Sequence, residues 1–81
     1  EKVVFDVEMH DETTIYVQVY GVSDDLASVS LITPRGQSLF YEFVEKQTSN
    51  HKIDVKDLAP GTYYLKLNFD GEIRLKTLVI K

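Results

Sequence analysis

Alternation of apolar and polar side chains with a period of two is the feature of this sequence that most constrains its fold. It is clearest over residues 15–20, 39–44 and 63–69. A period of two puts successive side chains on opposite faces of a β-strand, so that one set can face a core and the other can face solvent. No segment of comparable length has the spacing of an amphipathic helix. The pattern therefore predicts an all-β fold.

Short turn signals separate the alternating segments at fairly even intervals. They lie at residues 11–12, 21–25, 34–36, 47–50, 59–61 and 70–71. Turns at this spacing divide the chain into about seven strands, which is typical of a sandwich. We therefore predict an immunoglobulin-like antiparallel β-sandwich that occupies residues 1–81 as one domain. Its strands are expected near residues 2–9, 13–20, 27–32, 38–46, 52–55, 62–69 and 72–80.

The pair Asp70-Gly71 is the strongest turn signal in the chain. It joins two apolar-rich segments through a two-residue connection, and both residue types tolerate the positive φ that such a turn requires. Phe69 and Glu72 are therefore expected to flank a tight hairpin.

A second turn is predicted where Pro60 presets φ and Gly61 supplies a positive φ. Tyr63 follows it at the start of a strand, where a tyrosine can return its hydroxyl to a backbone group a few residues upstream. We therefore interpret Leu58, Pro60, Gly61 and Tyr63 as a structural corner.

The inward-facing positions of the predicted strands define an expected core. Its members are Ile15, Val17, Val19, Val29, Leu31, Ile53, Val55, Tyr63, Leu65, Leu67, Ile73 and Leu75. A chain of 81 residues can bury one modest core, but not a core together with a deep active-site cleft.

Charge and cysteine content exclude several classes of function. The net charge of -4 provides no basic field for phosphate backbones, so nucleic acid is not an expected partner. The sequence has no cysteine and therefore no disulfide, thiolate nucleophile or cysteine-ligated metal. No apolar run reaches the roughly 20 residues that span a bilayer. Residues 1–5 lack the pattern of an export signal, so any such signal is expected outside these residues.

Candidate catalytic and metal-binding residues are few. His10 and His51 are not placed in a recognisable arrangement with a nucleophile and an acid, so we expect surface histidines or hydrogen-bonded structural ones. The acidic pairs Asp11-Glu12 and Asp24-Asp25 lack the spacing of a calcium loop and are interpreted as solvated turns. The sequence therefore predicts no enzyme, no cofactor and no metal site.

The last strand has a mixed pattern. Ile73 and Leu75 occupy one face, but Leu78, Val79 and Ile80 are consecutive, so both faces become apolar near the end. One interpretation is a central strand that is buried on both sides. The other is a docking strand, or a recognition tail between Lys76 and Lys81.

Four segments of the chain resemble a known family. They are residues 28–32, 34–37, 53–67 and 76–81. Together they resemble the C-terminal sorting domain of Bacteroidetes proteins exported by the type IX secretion system. Members of this family have a glycine turn after a strand, an aspartate-leucine-proline-glycine-x-tyrosine corner, and a lysine-bearing apolar strand at the end of the chain. The resemblance covers the C-terminal two-thirds, whereas residues 1–7 lack the proline-rich opening that is frequent in the family.

The resemblance implies that the domain is a non-catalytic address. The implied partners are the outer-membrane secretion machinery and a sortase-like processing peptidase. The implied location is the periplasm in transit, and then the outer-membrane surface or the medium. Lys76, Val79 and Lys81 are the positions that a receptor is expected to read.

Two alternatives are open at this point. A related small immunoglobulin-like domain of gut Bacteroidetes, or an immunoglobulin- or fibronectin-III-like adhesion or spacer module of a secreted protein, would have nearly the same strand pattern. An exposed edge strand could also pair two copies into a homodimer. An enzyme is the weakest of the possibilities.

Overall fold

Seven strands form two antiparallel sheets in the computed structural model, which describes residues 3–23 and 26–81. The strands are β1 (Val4–Met9), β2 (Thr14–Tyr20), β3 (Ser28–Ile32), β4 (Ser38–Phe43), β5 (Thr48–Asp54), β6 (Gly61–Phe69) and β7 (Glu72–Ile80). The smaller sheet has the order β1-β2-β5, and the larger sheet has the order β4-β3-β6-β7. The all-β sandwich predicted from the alternation is confirmed.

One apolar cluster lies between the two sheets. Each central strand contributes alternate residues: Ile15, Val17 and Val19 in β2 are at most 1% exposed, and Leu65 and Leu67 in β6 are fully buried. Full burial of an aliphatic side chain stabilises the folded state by about 1.5–3 kcal/mol. The period-two segments therefore supply most of the packing free energy of the domain.

The prediction that Ile73 and Leu75 belong to this core is wrong. The two side chains are 58% and 57% exposed. In the β6–β7 register, Ile73 pairs with Asn68 and Leu75 pairs with Lys66, and paired residues share a face of the sheet. Asn68 and Lys66 lie on the outer face of the larger sheet, so the two apolar residues of β7 lie there as well.

β7 is the last strand of its sheet, so the interpretation of a central strand buried on both sides is also wrong. Only Leu78 and Ile80 of this strand are buried, at 8% and 7% exposure. The smaller sheet covers the inner face of β7 near its end, and the first six residues of the strand are exposed.

β5 begins at Thr48, whereas a turn was predicted over residues 47–50. The buried positions in the first half of β5 are Ser49 and His51, which are polar, so the hydrophobic pattern did not mark a strand there. The turn lies just before the strand, where Gln47 has a positive φ of 72°. The predicted start of the first strand at residue 2 lies outside the described residues.

No helix occurs in the part of the chain that the structure describes, and hence none that is long and apolar enough to cross a membrane.

Candidate functional site

A tight hairpin places the terminal strand β7 along the whole length of β6. Asp70 and Gly71 both have positive φ, 48° and 77°, which confirms the two-residue turn predicted from this pair. Phe69 pairs with Glu72, and the antiparallel register then runs without interruption to Gly61 and Ile80. Local turn chemistry therefore fixes which face each side chain of β7 occupies.

Two cations of β7 lie on its inner face, beside the rim of the smaller sheet. Arg74 pairs with Leu67 and Lys76 pairs with Leu65, and both of these leucines are core residues. The Arg74 Nη1 group donates a hydrogen bond of 2.8 Å to the Val3 carbonyl. The Arg74 guanidinium also lies 5.2 Å from the centre of the Phe69 ring. Both side chains are exposed, because β1 covers only part of this edge.

Lys76 makes a second contact across this rim. Its Nζ atom lies 5.9 Å from the centre of the Phe5 ring, within the range of a cation–π contact. Among residues 3–23 and 26–81, no carboxylate forms an ion pair with Arg74 or Lys76. The inner edge of β7 is therefore a cationic rim that is anchored by aromatic and backbone contacts.

The three predicted recognition residues do not share one face. Lys76 lies on the inner face, whereas Val79 pairs with Thr62 on the outer face and is 56% exposed. Lys81 is exposed and follows the last residue of β7. What the three positions share is the free edge of the terminal strand.

An open groove lies at the end of the sandwich where β7 stops. The β1–β2 connection, the β5–β6 connection and the end of β7 form its walls. Its lining residues include Met9, Asp11, Leu58, Val79 and Lys81. Val79 and Lys81 therefore lie in one concave surface, which Lys76 does not line.

The corner residues lie directly beside this groove. The Tyr63 hydroxyl donates a hydrogen bond of 2.6 Å to the Ala59 carbonyl, four residues upstream. The Leu58 amide donates to the Val55 carbonyl at 3.1 Å, and the Leu58 side chain is half-buried against the core. Gly61 has a φ of 150°, a positive value that favours glycine, and it is already the first residue of β6. Pro60 is exposed and forms the bend just before it.

A Ser-His-Glu cluster joins β5 to β4 across the sandwich, and sequence reasoning missed it. The Nε2 atom of His51 is 2.7 Å from the Ser49 Oγ, and its Nδ1 atom is 2.6 Å from a Glu42 carboxylate oxygen. The prediction that neither histidine is arranged with a hydroxyl and an acid is therefore wrong for His51. His51 is 5% exposed, so it is a hydrogen-bonded structural histidine as expected. His10 is exposed and packs edge-on against Tyr16.

The hydrogen-bond pattern of this cluster assigns its protons. The Glu42 carboxylate can only accept, so the Nδ1–H group of His51 donates to it. In the neutral imidazole the Nε2 atom then accepts the Ser49 hydroxyl, and the Ser49 Oγ accepts the Glu45 amide at 3.1 Å. Ser49 is only 3% exposed, and both hydrogen-bonding roles of its oxygen are filled. The cluster is thus a polar clamp between two strands, buried at Ser49 and His51 and open to solvent at Glu42.

The acidic turn at Asp11 is locally hydrogen-bonded. Its Oδ1 atom accepts the Thr13 amide at 2.8 Å and the Thr13 hydroxyl at 3.0 Å. The backbone bond is the main reason that the pKa of the Asp11 carboxyl lies below its ordinary value. Asp24 and Asp25 lie outside the described residues. Within residues 3–23 and 26–81, no group of three or more His, Asp or Glu side chains could hold a metal ion.

The outer face of the larger sheet carries a second apolar region on β4. Tyr41 and Phe43 pack edge-on, with ring centres 5.6 Å apart, and they are 57% and 61% exposed. Ser28 and Ser30 of the neighbouring strand are buried beside them. The sequence pattern marked these aromatic residues as strand residues but did not say which face is open.

The chain matches a protein-family model over most of its length. A model of the family described as the secretion system C-terminal sorting domain matches residues 7–81. Neither a curated protein nor a solved structure matches the chain. The match extends beyond the C-terminal two-thirds that carried the resemblance and includes the second half of β1.

Proposed function

The chain belongs to the family of secretion-system C-terminal sorting domains, and from this premise we propose that β7 and Lys81 carry its sorting signal. Domains of this family direct cargo through the type IX secretion system and act as sorting signals, not as catalysts. The domain therefore interacts with the secretion machinery and serves export across the outer membrane. The observation that supports our proposal is the exposed edge of the terminal strand.

Within β7 and the residue that follows it, we propose that the receptor reads Lys76, Val79 and Lys81. All three side chains are exposed, whereas Leu78 and Ile80 between them are buried. Folding can therefore be separated from recognition at single positions. Buried residues hold the strand in place, and their exposed neighbours are free for a partner.

We further propose that a sortase-like processing peptidase acts on the cargo after export, and that the route runs through the periplasm to the cell surface or the medium. This order is what the function of a removable address requires. A homodimer through the β7 edge is the competing use of the same surface.

The experiment places the domain at the C-terminus of a reporter in a bacterium with an intact type IX machinery. Deletion of residues 79–81 would also remove the buried Ile80, so point variants are better. We expect the Val79→Ser/Lys81→Ala double variant to stay in the periplasm, and the unchanged domain to take the reporter to the surface or the medium. Lys52→Ala is the matched control, because Lys52 is an exposed residue of the other sheet.

Thermal unfolding of each purified domain completes the test. If the folded double variant is exported as well as the unchanged domain, the signal does not lie at Val79 and Lys81. If the unchanged domain directs no export, the adhesion or spacer module becomes the better assignment.

We propose that the Ser49–His51–Glu42 cluster is structural and that the domain has no hydrolase activity. Burial of Ser49 and the filled hydrogen-bonding roles of its oxygen support this proposal. A fluorophosphonate probe is expected to leave Ser49 unmodified at neutral pH. Covalent labelling that is lost in Ser49→Ala would reverse the assignment.

A further inference from the structure

We infer that the free edge of β7 binds an extended segment of the secretion machinery as an added strand whose carboxylate and apolar side chains alternate. The free edge is the backbone of Glu72–Ile80 on the side away from β6. This inference rests on the proposed sorting function, because it names the chemistry of the partner that reads the terminal strand.

The edge is long and regular. Its nine residues pair with β6 in one continuous register, without a bulge and without proline. Among the described strands, none pairs with the other side of β7. Proteins usually shorten, bend or cover such an edge, because its backbone groups are a template for another strand. An edge of this length that is left open is suited to strand addition.

On its inner face this edge selects carboxylates at Arg74 and Lys76, and Glu72 is the one acidic residue of β7 on that face. Arg74 and Lys76 are two residues apart, so both lie on the same face of the strand. Both are exposed and neither is ion-paired within the described part of the chain. Residues directly opposite each other in an antiparallel pair have Cβ atoms about 4.5–5.5 Å apart. A partner strand with Asp or Glu opposite Arg74 and Lys76 would therefore form two cross-strand ion pairs.

The outer face of the same edge selects apolar side chains. Ile73, Leu75 and Val79 are 56–58% exposed and alternate with the inward-facing residues. A partner strand presents its own residues to this face at the positions between its carboxylates. Apolar residues there would remove the three side chains from water. Together the two faces define a strand in which acidic and apolar residues alternate.

The same cations disfavour a second copy of this chain. When two antiparallel copies of β7 pair over all nine residues, Lys76 lies opposite Lys76 of the other copy. Like charges directly opposite each other destabilise a strand pair. Inward-facing cations on an edge strand also act generally against self-association. An acidic strand turns the same two charges into attractive contacts.

The direct test uses a short amidated peptide in which valine alternates with glutamate, and a matched peptide in which lysine replaces glutamate. Titration of the isotope-labelled domain is followed by amide chemical shifts. We expect the glutamate peptide to shift the amides of β7 and to bind about tenfold more tightly than the lysine peptide, as two cross-strand ion pairs allow.

Two further peptides distinguish strand addition from simple charge attraction. Each carries N-methyl groups on one of the two alternating sets of residues, so that each loses the N–H donors of one edge. In an antiparallel pair only one set of alternate residues faces the partner strand. We expect one N-methylated peptide to bind normally and the other to lose binding.

The domain variants test the two cations. Arg74→Gln/Lys76→Gln removes both charges but keeps side-chain donors, so the Arg74 bond to the Val3 carbonyl can be replaced. We expect this variant to lose the preference for the glutamate peptide, and Arg74→Glu/Lys76→Glu to prefer the lysine peptide. Lys52→Glu/Lys56→Glu is the control for Arg74→Glu/Lys76→Glu, because it makes the same change in net charge at exposed positions on β5 and just after it. It should keep the preference for the glutamate peptide.

Three results would overturn the inference: shifts outside β7, equal binding of the two charge types, or equal binding of the two N-methylated peptides. A stable dimer of the unchanged domain in sedimentation analysis would also overturn it. The proposed function is judged by the Val79→Ser/Lys81→Ala reporter, which leaves Arg74 and Lys76 intact. A failed peptide test with a retained reporter effect would therefore reject the partner chemistry and leave the sorting signal in place.

Discussion

β6 and β7 are hairpin partners of equal length, yet they contribute to the molecule in different ways. β6 buries Tyr63, Leu65, Leu67 and Phe69 on one face, whereas β7 buries only Leu78 and Ile80. The two strands share a turn and a register, so the difference comes from their positions in the sheet and from the charged residues that β7 places on its inner face. β6 lies between two strands and under the opposite sheet, while β7 lies at an edge. An apolar residue stabilises the fold only where another layer covers it.

We expect the greatest difference in stability between variants of one leucine from each strand. Leu65→Ala should lower the free energy of unfolding by about 2–5 kcal/mol, because a fully buried side chain leaves a cavity. Leu75→Ala should change it by no more than about 0.5 kcal/mol, because Leu75 is 57% exposed. Urea unfolding of both variants measures the difference. Equal losses would mean that the outer face of β7 is covered in solution.

The second prediction concerns the other edge of the larger sheet. Glu42 of β4 lies on the face toward β5 and is fastened there by a polar clamp. His51→Ala should cost about 1–3 kcal/mol of stability, since it leaves the Ser49 hydroxyl and the Glu42 carboxylate without their partner. His10→Ala is the control and should cost little, because His10 is exposed. Similar thermal shifts for both variants would show that the clamp adds nothing.

The third prediction tests the hydrogen bond that the first part of β6 makes to the corner before it. Tyr63→Phe should destabilise the domain by about 1–2 kcal/mol, because the Ala59 carbonyl loses its hydroxyl donor. Tyr64→Phe alters the neighbouring residue on the outer face and should be nearly neutral. Denaturant midpoints compare the two. If both variants lose stability, or if neither does, the corner hydrogen bond does not stabilise the domain in the way proposed.

The smallest expected effect lies in the exposed turn before β2. The Thr13 amide lowers the pKa of the Asp11 carboxyl in the folded state. Its contribution to stability is therefore complete above the ordinary aspartate pKa of about 3.9, and is lost as the pH falls through the lower folded-state value. Carbon-13 titration of the Asp11 carboxyl should give a midpoint below that ordinary value. In Asp11→Asn this acid-range dependence should be absent, and an unshifted midpoint would contradict the assigned hydrogen bond.

The contrast between β6 and β7 also explains how far the sequence predicted this structure. Local chemistry identified the sandwich and the hairpin, because alternation and the Asp70-Gly71 pair act over a few residues. The hairpin register was itself sufficient to correct the core. With Phe69 opposite Glu72, Ile73 must share a face with the polar Asn68. Ile73 and Leu75 were assigned to the core because they are hydrophobic, and the strand register was not used to determine which face they occupy.

The polar clamp was not predictable in the same way. Ser49 and His51 alternate like core residues, but their side chains are polar, so a hydrophobic pattern could not reveal them. Glu42 reaches His51 only because β4 and β5 belong to different sheets that face each other. Only some residues of the candidate site were named from the sequence, for a related reason. Lys76, Val79 and Lys81 came from a resemblance at the chain end, whereas the role of Arg74 depends on which strand is an edge.

Leu78 and Ile80 are buried and alternate with the exposed residues Val79 and Lys81. Val79 and Lys81 have a fixed position relative to each other only when Leu78 and Ile80 are packed in the core. A receptor that binds both exposed residues therefore requires the buried pair to be in place. Cargo whose terminal domain is unfolded, or cut within β7, would display no such spacing. Under the proposed function, recognition therefore requires the folded domain, and transport begins only for chains whose last domain has finished folding.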